Sequence, residues 1–254
     1  MSISNPMLAG VSSPVADAMK SVHPIESDIF QPKDVHRKKE DARTRILNTA
    51  LAEFARRGYD GVSTTEIAKE AGVTQPLIHY HFKSKEALWQ ATVEQVFTWL
   101  KDELIAPMAD QLTNTSTDNK SVLSSSIRKY VEFSAVHPEF GQFLLREGTQ
   151  KTDRLEWMVD NWMRPSLGGF IDAHSKGVKD GWIKDIPFAQ TVTIVTASVC
   201  NFFALSPMIE SLYGVNALDS EQVKIHSDAV VDFLTNALYV DNTETVRTTE
   251  EELA

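Results

Sequence analysis

His79, Tyr80 and His81 stand side by side in the stretch Gly72-Val73-Thr74-Gln75-Pro76-Leu77-Ile78-His79-Tyr80-His81-Phe82. Two imidazoles and a phenol could hold a metal ion or pass a proton. Their spacing argues against it. On a helix, residues two apart point about 200° away from each other, so His79 and His81 cannot grip one ion. The alternative is that the stretch is structural, with some side chains left outward to read a surface.

The elements around it favour that second reading. The apolar residues of the chain recur at three and four rather than two, and β-rich runs of convincing length are missing, so the expected fold class is all-α with about nine helices. A first helix is expected from about Lys39 to Arg57, with Ile46, Leu47, Ala50, Leu51 and Phe54 on one stripe and Gly58 as its C-cap. Ser63-Thr64-Thr65-Glu66 has the form of a capping box, which starts a second short helix at Thr64 and carries it to near Ala71. Thr74 can cap a third helix whose first turn tolerates Pro76, and Ser84 a fourth running toward Pro107. Further helices are expected at about 120–136, 138–147, 153–179 with an interruption at Pro165–Gly169, 187–205 and 220–240.

A helix-turn-helix needs a small residue where its helices cross, a glycine that turns with positive φ, and an apolar anchor in the second helix. Counted from Thr64, these fall on Ala68, Gly72 and Ile78, with Ile67, Val73 and Phe82 completing the core. An ordinary αα-hairpin shares part of this pattern but not the charge distribution. The chain carries 25 Lys and Arg against 35 Asp and Glu, a net −10 that opposes non-specific coating of nucleic acid. Residues 36–86 alone are net positive, with 10 against 7.

Residues 43–89, RTRILNTALAEFARRGYDGVSTTEIAKEAGVTQPLIHYHFKSKEALW, closely resemble the DNA-binding domain of the TetR family of bacterial transcriptional regulators. The resemblance implies a third helix lying in the major groove, with Thr74, Gln75, Pro76, Leu77 and His79 as base-reading candidates. Gln75 could pair with adenine, Pro76 and Leu77 could meet thymine methyls, and Thr74 could take a phosphate. It also implies phosphate contacts from Ser63, Thr64, Thr65, Tyr80 and Lys85, helped by helix N-termini. The sequence departs from the common family pattern at His79, where a tyrosine touching the DNA backbone is usual.

The expected organisation is a disordered arm over 1–35, a three-helix DNA-binding domain over 36–86, a larger helical domain for ligand binding and dimerisation over 87–240, and an acidic tail over 241–254. The arm ends in His36-Arg37-Lys38-Lys39, which could add a DNA contact or simply begin the first helix. In the larger domain, Phe97, Phe133, Phe143, Trp157, Met158 and Trp162 are the candidates for an apolar ligand pocket, against the plainer reading of core. His137, Arg146, Glu147, Asp153 and His174 could orient a ligand, or be solvated or locally paired. Apolar faces at 187–205 (Val192, Val195, Val199, Phe202, Phe203) and 220–240 (Val223, Val230, Phe233, Leu234, Leu238) are the expected dimer interface, and the resemblance implies the same.

Cys200 is the only cysteine, which excludes an intramolecular disulfide or cysteine-rich zinc site and fits a buried small residue in a cytoplasmic protein. The N-terminus lacks the basic then apolar pattern of a signal peptide, and the most apolar segment is broken by polar residues, so no membrane partner is expected. No nucleophile elbow, phosphate loop or metal-ligand helix is visible, so neither cofactor nor enzymatic activity is expected. These readings converge on a homodimeric repressor that binds a palindromic operator and is released by a small, largely apolar effector. The alternative keeps the DNA-binding domain but makes the larger domain a protein-interaction or activating platform without an inducer.

Overall fold

Asp41 opens the first helix of the computed structural model, which describes residues 41–105 and 118–240. Its carboxylate accepts from the Thr44 N–H at 2.7 Å, and α1 runs Ala42–Arg57. The expected start at Lys39, the arm, the acidic tail and Pro107 lie outside the described residues. The expected stripe is the buried one, with Ile46, Leu47, Ala50, Leu51 and Phe54 at most 3% exposed. Gly58, at φ +76°, ends the helix by donating its N–H to the Phe54 carbonyl.

The next two helices follow the local signals closely. α2, Thr64–Glu70, is started by a complete capping box: Ser63 Oγ accepts from the Glu66 N–H, and the Glu66 carboxylate accepts from the Ser63 N–H at 2.7 Å. Gly72 turns the chain at φ +64°, a conformation that costs a residue with a Cβ but not glycine. α3, Gln75–Phe82, then begins with Pro76 in its first turn. Thr74 occupies the N-cap position but makes no side-chain cap hydrogen bond, contrary to expectation. α4, Lys85–Trp99, is capped by Ser84 and continues as a wider π-helical turn over Leu100–Ile105.

The larger region holds α5, Asn119–Val136; α6, Pro138–Gly148; α7, Asp153–Met158; α8, Arg164–Lys179; α9, Phe188–Ala204; α10, Ser206–Tyr213; and α11, Ser220–Leu238. The expected interruption at Pro165–Gly169 is not there. A π turn over Val159–Met163 joins α7 to α8 instead, with the Arg164 N–H reaching back to the Val159 carbonyl. Pro165 therefore falls in the first turn of α8, where a missing N–H is tolerated. With α7 and α8 taken as one rod, the described residues form ten helices, and the unexpected one is α10. They form no strand, only an isolated bridge between Ile183 and Tyr239.

Two hydrophobic clusters hold these helices. The first joins α1–α4 to Phe133, Phe140, Phe143 and Met158, so the packing of the N-terminal helices runs on without a gap past residue 86. The second joins α5, α9 and α11 through Ile127, Val131, Val199, Phe203, Leu234 and Leu238. A polar seam runs beside it, where Arg128 pairs with Asp228 at 2.8 Å and Ser124 meets Thr235 at 3.1 Å.

Candidate functional site

One side of α3 is locked and the other is free. Ile78 and Phe82 are buried in the first cluster, while Thr74, Gln75, Pro76 and His79 are exposed and Leu77 is half-buried. Five of the six residues 74–79 therefore leave some surface for a groove, and the sixth is the anchor. His79 is solvent-facing; His81 is half-buried, its ring 5.2 Å from that of Tyr80 and 5.9 Å from that of Phe82. The two histidines sit in different environments.

Of the residues expected near phosphates, Tyr80 is 70% exposed, Ser63 and Thr65 are exposed, and Thr64 is half-buried. The Ser63 hydroxyl is already engaged, donating to Glu66 at 2.7 Å within the capping box. Arg57, at 2.8 Å, and then Ser63 pull the Glu66 carboxyl down to about 2, so it stays charged. Lys85 lies with its ammonium 4.3 Å from the centroid of the Tyr59 ring, a cation–π contact. Lys83 was missed in the sequence. It is exposed at φ +65°, beside Tyr80, and donates to the Tyr80 carbonyl at 3.0 Å. Its place right after α3 was the available signal.

A joint connects the first three helices to the rest of the chain. The four last carbonyls of a helix lack partners of their own, and a cation near them is doubly favoured. Arg146 of α6 meets that need in α1, donating from Nε to the Ala55 carbonyl at 3.1 Å and from a terminal guanidinium nitrogen to the Arg56 carbonyl at 2.9 Å. Next to it the Arg154 guanidinium lies 4.0 Å from the centroid of the same Tyr59 ring that Lys85 meets, and 3.7 Å from the Glu147 carboxylate. Burial pushes the Glu147 carboxyl up, and Arg154 opposes the shift. Arg146 and Glu147 thus belong to the joint; His137 stacks on Trp99 at 4.5 Å and meets Glu103 at 3.2 Å, and Asp153 is exposed.

A cavity of about 540 Å³ opens among the end of α4, α5, α6, α8 and α9. Among the aromatic and methionine candidates, only Phe97 lines it. Phe133, Phe143, Trp157, Met158 and Trp162 pack in the first cluster instead: Trp89 lies 6.1 Å from Phe143 and 5.8 Å from Trp157, and Trp162 stacks on Phe97 at 6.1 Å. Periodicity identifies the apolar face of a helix but not whether a neighbour or a void lies against it. Phe140, Phe170 and His174 line the cavity as well.

The apolar faces of α9 and α11 divide in the same way. Val199, Phe203, Val230, Leu234 and Leu238 are buried within the chain, Val192 and Val195 line the cavity, and Phe202 and Val223 are half-buried. Phe233 is 64% exposed, together with Leu212 and Tyr213 of α10 and Ile225 of α11. No single helix among the described residues is long and apolar enough to cross a membrane.

Comparison with known proteins agrees with this geometry. Residues 46–92 match the model for bacterial regulatory proteins of the tetR family. The HTH-type transcriptional activator FasR of Mycolicibacterium smegmatis is 30% identical over 115 residues, 45% of this chain and 50% of that protein. The negative transcriptional regulator of the biofilm operon icaADBC, IcaR of Staphylococcus aureus, is 28% identical over 107 residues, 39% and 56% of the two chains. The chain thus spans about half the length of these relatives. In fold it is similar to the ketosteroid transcriptional regulator KstR2 of Mycobacterium tuberculosis, with a TM-score of 0.57 at 17% identity over 79% of this chain and 96% of that one. It is also similar to AibR, solved in complex with isovaleryl coenzyme A and operator DNA, with a TM-score of 0.58 at 17% identity over 77% and 98%.

Proposed function

We propose that this chain, whose residues 46–92 match the model for bacterial regulatory proteins of the tetR family, is a cytoplasmic, homodimeric transcriptional repressor. It binds a palindromic operator and is released by a small, largely apolar effector, without cofactor or catalysis. The observation that carries this reading is the division of α3 into a buried anchor, Ile78 and Phe82, and an outward edge of Thr74, Gln75, Pro76 and His79. Such an edge can enter a major groove while the rest of the domain stays rigid. Ser63, Thr64, Thr65, Tyr80 and Lys85 flank it as phosphate contacts, with Lys83 added to them.

Residues 36–86 form the DNA-binding domain in this reading and 87–240 the regulatory one. Exposed Phe233, Ile225, Leu212 and Tyr213 support a two-fold interface built on α10 and α11, which would bury surface that costs free energy in water. Two copies then present two reading helices to two half-sites. Coupling runs through α6. Phe140, Gly141 and Leu144 of this helix line the cavity, and Arg146, half a turn further on, holds the end of α1. An effector that moves α6 moves the head with it, and a hundredfold loss of DNA affinity requires about 2.7 kcal/mol of differential binding.

Selection of bound fragments from the host genome tests the reading. Recovered fragments should share an inverted repeat, and an extract of apolar metabolites should release them. Recovery of unrelated fragments contradicts operator binding. A shared repeat that no small molecule releases, with an additional protein retained on the larger domain, favours the platform alternative.

A further inference from the structure

The cavity walls carry information about the charge of what they enclose. Among the described residues that line it there is no Asp, Glu, Lys or Arg. An ion drawn into its depth, away from the open side, would give up hydration with no opposite charge among these residues to replace it, which costs several kcal/mol. The polar side chains present are neutral hydroxyls, a thiol, an amide, one imidazole and the Trp182 indole. They are not scattered evenly. Tyr130 of α5 and Thr196 of α9 face one another, the phenol donating to Thr196 Oγ1 at 3.4 Å and accepting from Cys200 Sγ at 3.4 Å.

The Tyr130 to Thr196 bond is at the outer limit for an O–H donor, where 2.7–2.8 Å is usual. Such a pair loses little by exchanging that bond for a shorter one to an incoming oxygen. Burial pushes the Tyr130 phenol well above its ordinary value, so it stays an uncharged donor. His174 is held differently: its Nε2 is 3.4 Å from Thr191 Oγ1, and that hydroxyl also reaches the Ile186 carbonyl. Both pairs join two helices, His174 and Thr191 linking α8 to α9 and Tyr130 and Thr196 linking α5 to α9, but only in the second are both partners hydroxyls that can turn toward a ligand oxygen.

We propose that the effector is an uncharged, largely apolar molecule carrying one hydroxyl or carbonyl oxygen, and that Tyr130 and Thr196 receive that oxygen. This rests on the reading of the cavity as the effector site. The oxygen fixes orientation, and the surrounding Phe97, Phe140, Leu144 and Phe170 supply the contact area. Anionic and cationic molecules of the same length are disfavoured because no described lining residue offers them a counter-charge.

Calorimetry on the full 254-residue chain, with decan-1-ol, decanoate and decyltrimethylammonium as probes at pH 8, tests this directly. The alcohol should bind at least about tenfold more tightly than either ion. Tyr130→Phe keeps the ring and should weaken the alcohol by roughly three- to tenfold, the worth of one neutral hydrogen bond, while leaving the ions unchanged. Thr196→Val repeats the test if Tyr130→Phe does not fold, and Leu144→Trp, which fills the space, should abolish binding of the alcohol. An ion that binds as well as the alcohol, an alcohol that does not bind, or full alcohol affinity in both hydroxyl-deleting variants overturns the proposal. Release of a selected operator fragment is read separately. Alcohol binding without release would overturn the effector reading and leave the ligand class standing, whereas an ion that binds and releases DNA would do the reverse.

Discussion

Arg146 closes the C-terminal end of the first helix, its Nε donating to the Ala55 carbonyl at 3.1 Å. The side chain comes from α6, the helix whose preceding turns line the cavity, so one element touches both places that a ligand-controlled DNA-binding protein must connect. Arg146→Met should cost about 1–3 kcal/mol in urea unfolding through the lost charge-assisted bonds. It should also leave effector affinity for the free protein within about twofold while reducing the effector's power to release DNA. Undiminished release would remove Arg146 from the coupling.

Contacts on the proposed DNA-binding edge should divide into those that specify and those that position. Gln75→Ala should cost about 1–3 kcal/mol on the preferred operator and relax preference at one base position. Lys83→Ala and Lys85→Ala should weaken binding on all sequences and each lower the salt slope by about one. Anisotropy titrations over a range of salt concentrations separate the two behaviours. A Lys85 whose place is over the Tyr59 ring alone would show no change in slope.

The capping box carries a pH signature. Arg57 and Ser63 depress the Glu66 carboxyl to about 2 in the folded chain, against an ordinary value near 4.3 when unfolded. The unfolded state therefore binds the proton more readily, and the stabilisation is complete above about pH 4.3 and lost as pH falls toward 2. Glu66→Gln should flatten the acid limb of the stability curve in that window. An acid limb identical to wild type would mean that the pair contributes nothing in solution.

Core and cavity residues should respond differently to truncation. Phe143, fully buried beside Trp89, should cost about 3–5 kcal/mol on Phe143→Ala and alter ligand affinity only through stability. Phe97→Leu, at the cavity wall, should change ligand affinity more than stability. Thermal melting with and without decan-1-ol distinguishes them, and equal ligand-induced shifts in both variants would contradict the assignment.

Phe233→Glu and Leu212→Glu place charge on the exposed apolar face of α10 and α11. Sedimentation should then shift from dimer to monomer, with loss of operator affinity. A wild-type chain that sediments as a monomer at micromolar concentration would contradict the two-fold interface.

The N-terminal helices were legible because their signals are local. Ser63 and Glu66 lie three apart, Gly58 and Gly72 mark turns by their own conformation, and the Ile46 to Phe54 stripe needs only helical spacing. Thr74 has a capping residue's position without its hydrogen bond, which no spacing rule distinguishes. α10 escaped notice because Pro207 reads as a break, yet it falls in a first turn where proline is allowed. The cavity was the least legible part. Phe143 and Phe140 sit three apart on α6, one buried against Trp89 and the other at the cavity, and only the packing of distant helices tells them apart.

The central claim is that the outward edge of α3 reads a symmetric operator. A base-resolved footprint of wild type and Gln75→Ala on a genome-selected fragment measures it most directly. Two protected half-sites related by an inverted repeat, with protection or preference altered at the same position in both by Gln75→Ala, is the predicted result. A single asymmetric footprint, or identical footprints and preferences for the two proteins, would contradict it.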